Sequence, residues 1–439
     1  MKAVGDWPSR LPDEWMPLPL KAVASYVVSN VDKVPSEDEM PVRLCNYTDV
    51  YRNDFVHADM ELMRSTATPA EIEKFHLEIG DVVITKDSET WDDIAIPALV
   101  TGTADDFVCG YHLAVLRPRS GALQGRFLFR CLQSKDIRIQ LELVSLGVTR
   151  FGLPKDEIGK LVLPIPPLPT QHRIADYLDS ETRQLDELVA EKERMVALLE
   201  EKRAAQVSRS VTRGLNSKAP LKPSGLDWLG DIPKQWEVKR TKRVFRERDD
   251  RSETGEEEML TVSHLTGVTK RSEKDVNMFE AESNEGYKLC SPDNLVINTL
   301  WAWMGAMGVA KDEGIVSPAY HVYELSEEIL PGYVDAMVRM PAFKAEVIRF
   351  SKGVWSSRLR LYPEGLFEVW IPVPPLAEQR AIVTYLAAEK ERTAELEKTL
   401  RESITLLHER RRALITAAVT GQLPTSARFL HNQPLDELL

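Results

Sequence analysis

The sequence predicts an α+β fold in which two tandem mixed α/β domains are each followed by a long helix. Three observations predict it: an internal repeat, two long stretches without proline or glycine, and short strand-like runs elsewhere. The repeat is the strongest of them, because residues 164–178 recur as residues 372–386, and the shift of 208 positions then holds to the end of the stretch.

A second, shorter repeat opens each half with two tryptophans that flank an aliphatic residue and a proline. Its members are Trp7, Leu11, Pro12 and Trp15 in the first half and Trp228, Ile232, Pro233 and Trp236 in the second. The shift here is 221 positions. Each half is therefore the same unit, a variable globular region followed by a well-preserved helix.

The two long stretches carry apolar residues at heptad positions with charged residues between them. Those positions are Leu178, Leu185, Leu188, Met195 and Leu199 in the first copy and Leu386, Leu396, Leu400, Ile404 and Leu407 in the second. Helices of this length would run roughly 60 Å, more than one domain needs. Such a narrow seam is buried against another helix, in this chain or in a partner. We expect an antiparallel coiled coil with internal pseudo-twofold symmetry.

The globular regions contain short runs that are typical of strands. They are residues 81–85, 112–116, 294–298 and 320–324. The predicted order is a first domain over residues 1–168, a spacer helix over 169–215, a second domain over 216–376, a second spacer helix over 377–423 and a tail over 424–439.

Charge and composition limit the class of protein. The net charge is −12 and the pI is near 5.4, which is the wrong sign for a chain that holds DNA alone. The sign reverses locally, because residues 234–251 hold eight lysines and arginines against four acids. Four widely separated cysteines predict neither a zinc site nor a disulfide framework. The N-terminus lacks a signal-peptide layout, so a cytoplasmic location without a membrane role is expected.

The helix openings carry a family resemblance. Residues 166–171 and 374–379 both read Pro-Pro-Leu-x-x-Gln, and each opens a long helix with an arginine-rich and Val-Thr end. These segments, with the entries at residues 11–15 and 232–236, resemble the two central repeats of Type I restriction-modification specificity subunits. The resemblance extends from about residue 7 to residue 423, with mild departures at Arg380 and Ala381, which replace His172 and Arg173 of the first copy.

The resemblance implies a non-catalytic subunit with two target-recognition domains. Each would read one half of a bipartite site in double-stranded DNA, and the helices would fix the unread gap. The implied partners are two methylation subunits, which carry S-adenosylmethionine and methylate adenine N6, and restriction subunits, which add ATP- and Mg-dependent translocation and cleavage. The chain itself is expected to bind no cofactor.

Candidate DNA-binding residues lie on loops near predicted strand ends and in the basic segment. Base reading needs donors and acceptors in the major groove, whereas phosphate contacts need only Lys, Arg and backbone N–H groups. The candidates in the first domain are Lys86, Trp91, Arg117, Arg119, Thr149 and Arg150. Those in the second are Lys239, Arg240, Arg243, Asn298, Trp301, Trp303, Lys352, Trp355, Ser356, Arg358 and Arg360. The alternative role for the tryptophans is packing in the core. The alternative for the basic segment is an ordinary solvated surface.

Four residues in the helices are candidates for partner contacts, with helix capping and local packing as the alternatives. They are Gln171, Tyr177, Gln379 and Tyr385.

Missing motifs favour a non-catalytic role. The sequence contains no GxxxxGK[ST] loop, no [DN]PP[YF] segment, no GxSxG elbow and no metal-spaced His or Cys cluster. No catalytic or metal-binding residue is assigned. Two other classes stay open: a coiled-coil protein-protein adaptor without a DNA-reading role, and a stand-alone enzyme.

Overall fold

The computed structural model describes residues 7–274, 283–353 and 359–423. The chain forms two compact units. Unit 1 comprises Met1–Lys192 and Glu402–Leu439, and unit 2 comprises Glu193–Arg401. Both unit boundaries fall inside long helices, so each unit contains the start of one helix and the end of the other. The predicted domain boundaries stay a prediction.

Unit 1 is a mixed α/β region followed by the first part of a long helix. Its strands are β1 Met16–Pro19, β2 Ala24–Val28, β3 Met40–Cys45, β4 Phe55–Val56, β5 Met63–Ala67, β6 Val82–Thr85, β7 Asp87–Ser88, β8 Pro97–Val100, β9 Phe107–Cys109, β10 Leu113–Pro118, β11 Phe151–Gly152 and β12 Val162–Ile165. Its helices are α1 Leu20–Val23, α2 Tyr47–Tyr51, α3 Pro69–Phe75, α4 Gly125–Gln133, α5 Lys135–Glu142, α6 Lys155–Ile158 and the start of α7 Leu168–Arg213.

Unit 2 has the same kind of content. Its strands are β13 Leu221–Pro223, β14 Asp231–Pro233, β15 Glu237–Arg240, β16 Phe245–Arg248, β17 Leu260–Ser263, β18 Gly267–Lys270, β19 Lys288–Cys290, β20 Leu295–Asn298, β21 Met307–Val309, β22 Gly314–Val316, β23 Tyr320–Leu325 and β24 Trp370–Val373. Its helices are α8 Pro331–Val338, α9 Pro341–Phe350, α10 Pro363–Glu368 and the start of α11 Leu376–Val419. The α+β class is confirmed.

The two sequence repeats pair with each other in each unit. In unit 1, β1 lies antiparallel to β12 with Met16 opposite Ile165. In unit 2, β15 lies antiparallel to β24 with Glu237 opposite Val373. The partners are related by the two shifts of the sequence repeats, 221 for the entry strand and 208 for the exit strand. The same two-stranded ribbon, in the same register, therefore leads into each long helix.

The central sheets also correspond. The order β2-β10-β6-β8 in unit 1, to which β4 adds a fifth strand, matches β16-β23-β20-β21 in unit 2. Strands β6 and β20 are apolar and buried along their whole length, as expected for strands with neighbours on both sides. Their C-terminal ends therefore place the following loops at equivalent positions of the two units.

The helices α7 and α11 contact each other within each unit. In unit 1, Arg411 of α11 forms an ion pair of 3.0 Å with Asp186 of α7. In unit 2, Glu200 lies 3.6 Å from Arg401, whereas Gln206, further along α7, donates to the Tyr385 hydroxyl earlier in α11. Because residue numbers rise in one helix as they fall in the other, the helices run antiparallel in unit 2.

The buried seam of α7 differs from the predicted one. Leu178, Leu185, Val189 and Val196 are buried at alternating spacings of four and three residues with Thr182. Three heptad predictions are wrong: the side chains of Leu188, Met195 and Leu396 are 45%, 43% and 45% exposed. Leu188 and Met195 directly precede the seam residues Val189 and Val196, so each lies roughly 100° around the helix from the seam.

Candidate nucleic-acid interface

A tight hairpin forms the most exposed element of unit 1. Leu146 and Gly152 exchange backbone hydrogen bonds of 3.0 and 2.9 Å, and Gly147 between them has φ of +155°. A Cβ at Gly147 would lie 1.9 Å from the Arg150 carbonyl oxygen, so the turn requires glycine. The side chains of Val148, Thr149 and Arg150 are exposed at the tip.

This hairpin, residues 146–152, lies beside the loop that follows β6. Strand β11 of the hairpin pairs with β7, and the Leu153 N–H donates to the Lys86 carbonyl at 2.9 Å. The Lys86 N–H in turn donates to the His112 carbonyl at 2.8 Å. Three loops thus meet, and the predicted candidates Lys86, Thr149 and Arg150 are brought together.

The Asp87 carboxylate bonds to side chains where the three loops meet. Asp87 is nearly buried and accepts a hydrogen bond of 3.2 Å from Lys86 Nζ, while the His112 Nδ1 atom lies 2.5 Å from its Oδ2. The other ring nitrogen, His112 Nε2, lies 3.4 Å from Arg150 Nη2. The imidazole therefore connects the Asp87 carboxylate to the arginine of the hairpin. Sequence analysis did not assign His112 to the interface.

Exposed aromatic side chains border the same surface. Trp91, a predicted candidate, is 47% exposed, and the Tyr111 ring lies tilted against the His112 ring with centroids 3.9 Å apart. Tyr51 donates to Asp93 at 2.6 Å, and this hydrogen bond raises the pKa of the Tyr51 hydroxyl. Sequence analysis missed the tyrosines, because α2 is far from the hairpin in sequence.

The remaining candidates of the first domain lie elsewhere. Arg117 is five residues from His112 along β10, a separation of roughly 15 Å at the rise of a strand. Its guanidinium binds both carboxylate oxygens of the buried Asp81, and it also donates to Glu78 and to the carbonyl of His76. These bonds occupy its guanidinium within the chain, and the DNA contact of Arg117 stays a prediction. Arg119 lies at the same end of β10 and donates to the Ala22 carbonyl.

Unit 2 presents a corresponding surface. Lys352 and Arg360 exchange backbone hydrogen bonds of 2.9 Å, and the Leu361 N–H donates to the Thr299 carbonyl in the loop after β20. Arg360 corresponds to Gly152 by the 208-residue shift. The candidates Lys352, Arg360 and Trp301 are exposed here, with Trp301 at 48%. Trp355, Ser356 and Arg358 lie outside the described residues.

Two candidates of unit 2 are structural. Asn298 is buried, and its Oδ1 accepts from the Leu300 N–H at 3.2 Å, which shapes the loop. Trp303 is half-buried and its indole N–H donates to the Leu300 carbonyl at 3.0 Å. Both side chains use these polar groups within the loop itself, and their contact with DNA stays a prediction.

Most cations of the basic segment, residues 234–251, are neutralised. Lys239 pairs with Glu328 and Glu237, and these partners raise the pKa of its ammonium group. Arg240 pairs with Glu368 at 3.1 Å. These ion pairs leave little free charge on the two residues, and their DNA contact stays a prediction. Arg243, in contrast, is exposed and has no ion pair with a residue in the described ranges.

The two predicted partner-binding glutamines are buried inside the chain. Gln171 Nε2 donates to the carbonyls of Ala122 and Pro166, and its Oε1 accepts from the Gln124 N–H. Gln379 makes the same three bonds with Glu328, Pro374 and Leu330. Both side chains are fully buried and neither caps its own helix, so the prediction that they face a partner is wrong. The two glutamines connect the first turn of each helix to its globular region through these hydrogen bonds.

The two tyrosine candidates also contact the chain itself. Tyr385 accepts from Gln206 of α7, and Tyr177 is half-buried against the apolar core of unit 1. The exposed apolar residues of the described helices include Met195 and four leucines at repeat-equivalent positions. The four leucines are Leu188 and Leu396, both 45% exposed, and Leu198 and Leu406, 56% and 64% exposed.

The described residues contain no group of three or more His, Cys, Asp or Glu side chains that could hold a metal ion. The four cysteines are buried thiols, and burial raises the pKa of Cys290 to about 12. A search of the described helices found none long and apolar enough to cross a membrane.

Comparison with known proteins gives consistent results. Residues 12–196 match the family model of the Type I restriction modification DNA specificity domain. The chain is 21% identical over 350 residues to a Methanocaldococcus jannaschii protein named as the MjaX specificity subunit of a type I restriction enzyme, covering 77% of this chain and 79% of that one. It is 22% identical over 308 residues to the EcoBI specificity subunit of Escherichia coli, covering 64% and 62%.

Solved structures show the same fold. A chain from a structure described as the basis of complex assembly and conformational transition of the type I R-M system has a TM-score of 0.69 at 18% identity, covering 94% of this chain and 99% of that one. The HsdS subunit from Thermoanaerobacter tengcongensis has a TM-score of 0.53 at 17% identity, covering 94% and 98%. The predicted resemblance to Type I specificity subunits is confirmed by the match of residues 12–196 to the model of the Type I restriction modification DNA specificity domain.

Proposed function

We propose that this chain is the DNA sequence-specificity subunit of a Type I restriction-modification complex and that units 1 and 2 each read one half of a bipartite target. The observation that carries the proposal is the pair of matched surfaces. The same ribbon and the same central strands lead in each unit to a loop after β6 or β20 and to an adjoining backbone-bonded segment. The exposed side chains there differ, as two readers of different bases require.

The unread gap between the half-sites is set by α7 and α11. Both helices are long, and they form an antiparallel coiled coil with pseudo-twofold symmetry. The fully buried Gln171 and Gln379 support this role, because each fixes a helix opening to its globular region through three hydrogen bonds. When the direction of each helix is fixed, the two DNA-reading surfaces contact the duplex at a fixed distance from each other.

The chain has a scaffolding rather than a catalytic role. Two methylation subunits dock on the helices and bring S-adenosylmethionine and adenine-N6 methylation, and restriction subunits add ATP- and Mg-dependent cleavage. The four exposed leucines, Leu188, Leu198, Leu396 and Leu406, support two equivalent docking surfaces because they obey the 208-residue shift. Exposed apolar patches on helices are typical of protein interfaces.

The acidic net charge fits binding within a complex. At −12 the isolated chain repels DNA overall, and many of its surface cations are already paired with acids. Partner subunits supply much of the phosphate contact. The isolated chain is therefore expected to bind DNA weakly at physiological salt.

The test is co-expression of the chain with the methylation subunit encoded beside its gene, followed by single-molecule sequencing of host DNA for N6-methyladenine. The expected result is a split motif with two defined halves and a fixed unread gap that disappears when this chain is omitted. A stable complex that produces no such motif would contradict the proposal and favour the protein-protein adaptor.

A further inference from the structure

We propose that Asp87, His112 and Arg150 form an ordered chain of hydrogen bonds that presents the Arg150 guanidinium to a guanine in the half-site read by unit 1. The inference rests on the proposed DNA-reading function, and it adds the base that is read and the residues that position the reader. Arg150 is the DNA-contacting residue, and Asp87 and His112 are positioning residues.

The direction of this chain follows from its donors and acceptors. A guanidinium carries five N–H donors and no acceptor, so the 3.4 Å contact with Arg150 Nη2 requires His112 Nε2 to accept. The neutral ring then carries its proton on Nδ1, which donates to Asp87 Oδ2 at 2.5 Å. Asp87 thereby fixes both the tautomer and the orientation of the imidazole.

The backbone supports this arrangement. His112 has φ of +73°, a left-handed conformation that few residues other than glycine adopt. Such strained positions concentrate at functional sites. On the other side, Gly152 allows the close approach of Asp87, because a Cβ there would lie 2.9 Å from Asp87 Oδ1. The loop and the hairpin are therefore shaped around the carboxylate and the ring.

The charged and titratable groups around the ring are few. Lys86 Nζ donates to Asp87 Oδ1 at 3.2 Å, the Tyr111 ring lies tilted against the imidazole with centroids 3.9 Å apart, and Arg150 Nη2 faces Nε2. A proton on Nε2 would point at the guanidinium and break the contact.

Guanine is the base that this geometry fits. Arg150 lies at an exposed tip, and its guanidinium has a fork of donors that matches guanine O6 and N7 in the major groove. A phosphate contact needs charge but no fixed orientation of the fork. A histidine held by a carboxylate fixes that orientation, which points to base reading.

The test uses the complex with its methylation subunits and the mapped target duplex. Each guanine of both half-sites is replaced in turn by 7-deazaguanine, which lacks the N7 acceptor. One replacement is expected to weaken binding of the unaltered complex by roughly 5- to 150-fold, the range of one bidentate contact. The same replacement is expected to have no further effect on Arg150→Ala.

His112→Asn tests the positioning role, because asparagine tolerates the left-handed backbone but is too short to join Asp87 to Arg150. This variant is expected to bind the natural duplex less tightly and to lose most of the 7-deazaguanine penalty. Arg119→Ala is the control, since Arg119 lies at the opposite end of β10 and its loss is expected to leave the 7-deazaguanine penalty intact.

The outcomes separate this inference from the proposed function. A complex without any split motif contradicts both. A split motif whose 7-deazaguanine penalties all persist in Arg150→Ala, or a motif without a G·C pair in either half, overturns the guanine assignment alone. An equal loss of affinity for all duplexes in Arg150→Ala identifies a phosphate contact and also overturns it. A His112→Asn variant with unchanged affinity and an unchanged 7-deazaguanine penalty removes the positioning role.

Discussion

Units 1 and 2 share a framework and differ in the surface that it carries. In both, the entry and exit strands pair in one register and a fully buried glutamine makes the same three bonds to the backbone. At the surface, unit 1 presents Arg150 beside His112, whereas unit 2 presents Lys352 and Arg360 beside the exposed Trp301. Under the proposed function, the framework fixes the position of each DNA-reading surface, and the loops determine which bases that surface reads.

The units differ also in local charge. The basic segment at residues 234–251 of unit 2 corresponds to residues 13–30 of unit 1, which hold one lysine and two acids. Most of the added cations of unit 2 are paired with acids of the same unit, so the excess available to DNA is small. Arg243 is an exposed exception among the described residues.

The largest expected effect comes from the shared glutamines. Gln171→Leu and Gln379→Leu each leave three buried backbone groups without a partner, which costs about 3 kcal/mol or more. Hydrogen exchange should accelerate at the Gln124 amide in the first variant and at the Leu330 amide in the second, by similar factors. The half-buried Gln140, which bonds Val162 at both its N–H and its carbonyl, gives a control in Gln140→Leu with a smaller effect. Unequal responses in the two units would show that the framework is not equivalent.

Gly147→Ala is expected to have the next largest effect, and this effect should be confined to unit 1. The new Cβ would overlap the Arg150 carbonyl oxygen, so we expect the hairpin to open at a cost of about 2–3 kcal/mol. Binding assays with the mapped duplex should show roughly 30- to 150-fold lower affinity. Gly121→Ala is the matched control, because φ there is +82° but nothing lies within 4 Å of the added atom. Comparable losses in both variants would mean that backbone strain, not the hairpin, is being measured.

How far the sequence predicted these features depends on the range of the interactions. The helices, the α+β class and the correspondence of the two halves follow from local period and repeat. The burial of Gln171 and Gln379 was not predicted, because their bonds reach segments 47 to 51 residues away. The ion pair of Arg117 was not predicted for the same reason, since Asp81 is 36 residues distant.

The heptad error has a different cause. Leu188 and Leu396 repeat faithfully, so they looked like seam residues, yet the buried face runs through Leu185 and Val189. A repeat shows only that two positions do the same thing in each copy, and an exposed docking leucine repeats as faithfully as a buried one.

A smaller effect tests the charge difference between the units. Arg243→Ala should reduce the slope of log affinity against log salt by about 0.9, the value of one phosphate contact on duplex DNA. Lys239→Met should leave the slope unchanged, because Glu328 and Glu237 already neutralise that ammonium group. The measurement is a salt titration of duplex binding by the complex, and a reduced slope for Lys239→Met would restore it as a DNA contact.

The smallest expected effect is on how the stability of each unit depends on pH in the acid range. Arg43 in unit 1 and Lys288 in unit 2 each lower the pKa of a carboxylate, Asp106 and Asp249 respectively, mainly through side-chain hydrogen bonds. A lowered pKa stabilises the fold above the ordinary aspartate range, and the stabilisation is lost as the pH falls through the folded-state value. Arg43→Met should therefore weaken unit 1 at neutral pH and flatten its loss of stability below about pH 4, as followed by acid titration of unfolding. An unchanged acid profile would contradict the pair's contribution.

The measurement that tests the central claim most directly is the N6-methyladenine map of two single variants beside the unaltered chain. Arg150→Ala should relax base preference in one half of the split motif, Trp301→Ala should relax it in the other, and both should keep the same unread gap. If either variant alters both halves, or if both alter the same half, the account of one reader in each unit is contradicted.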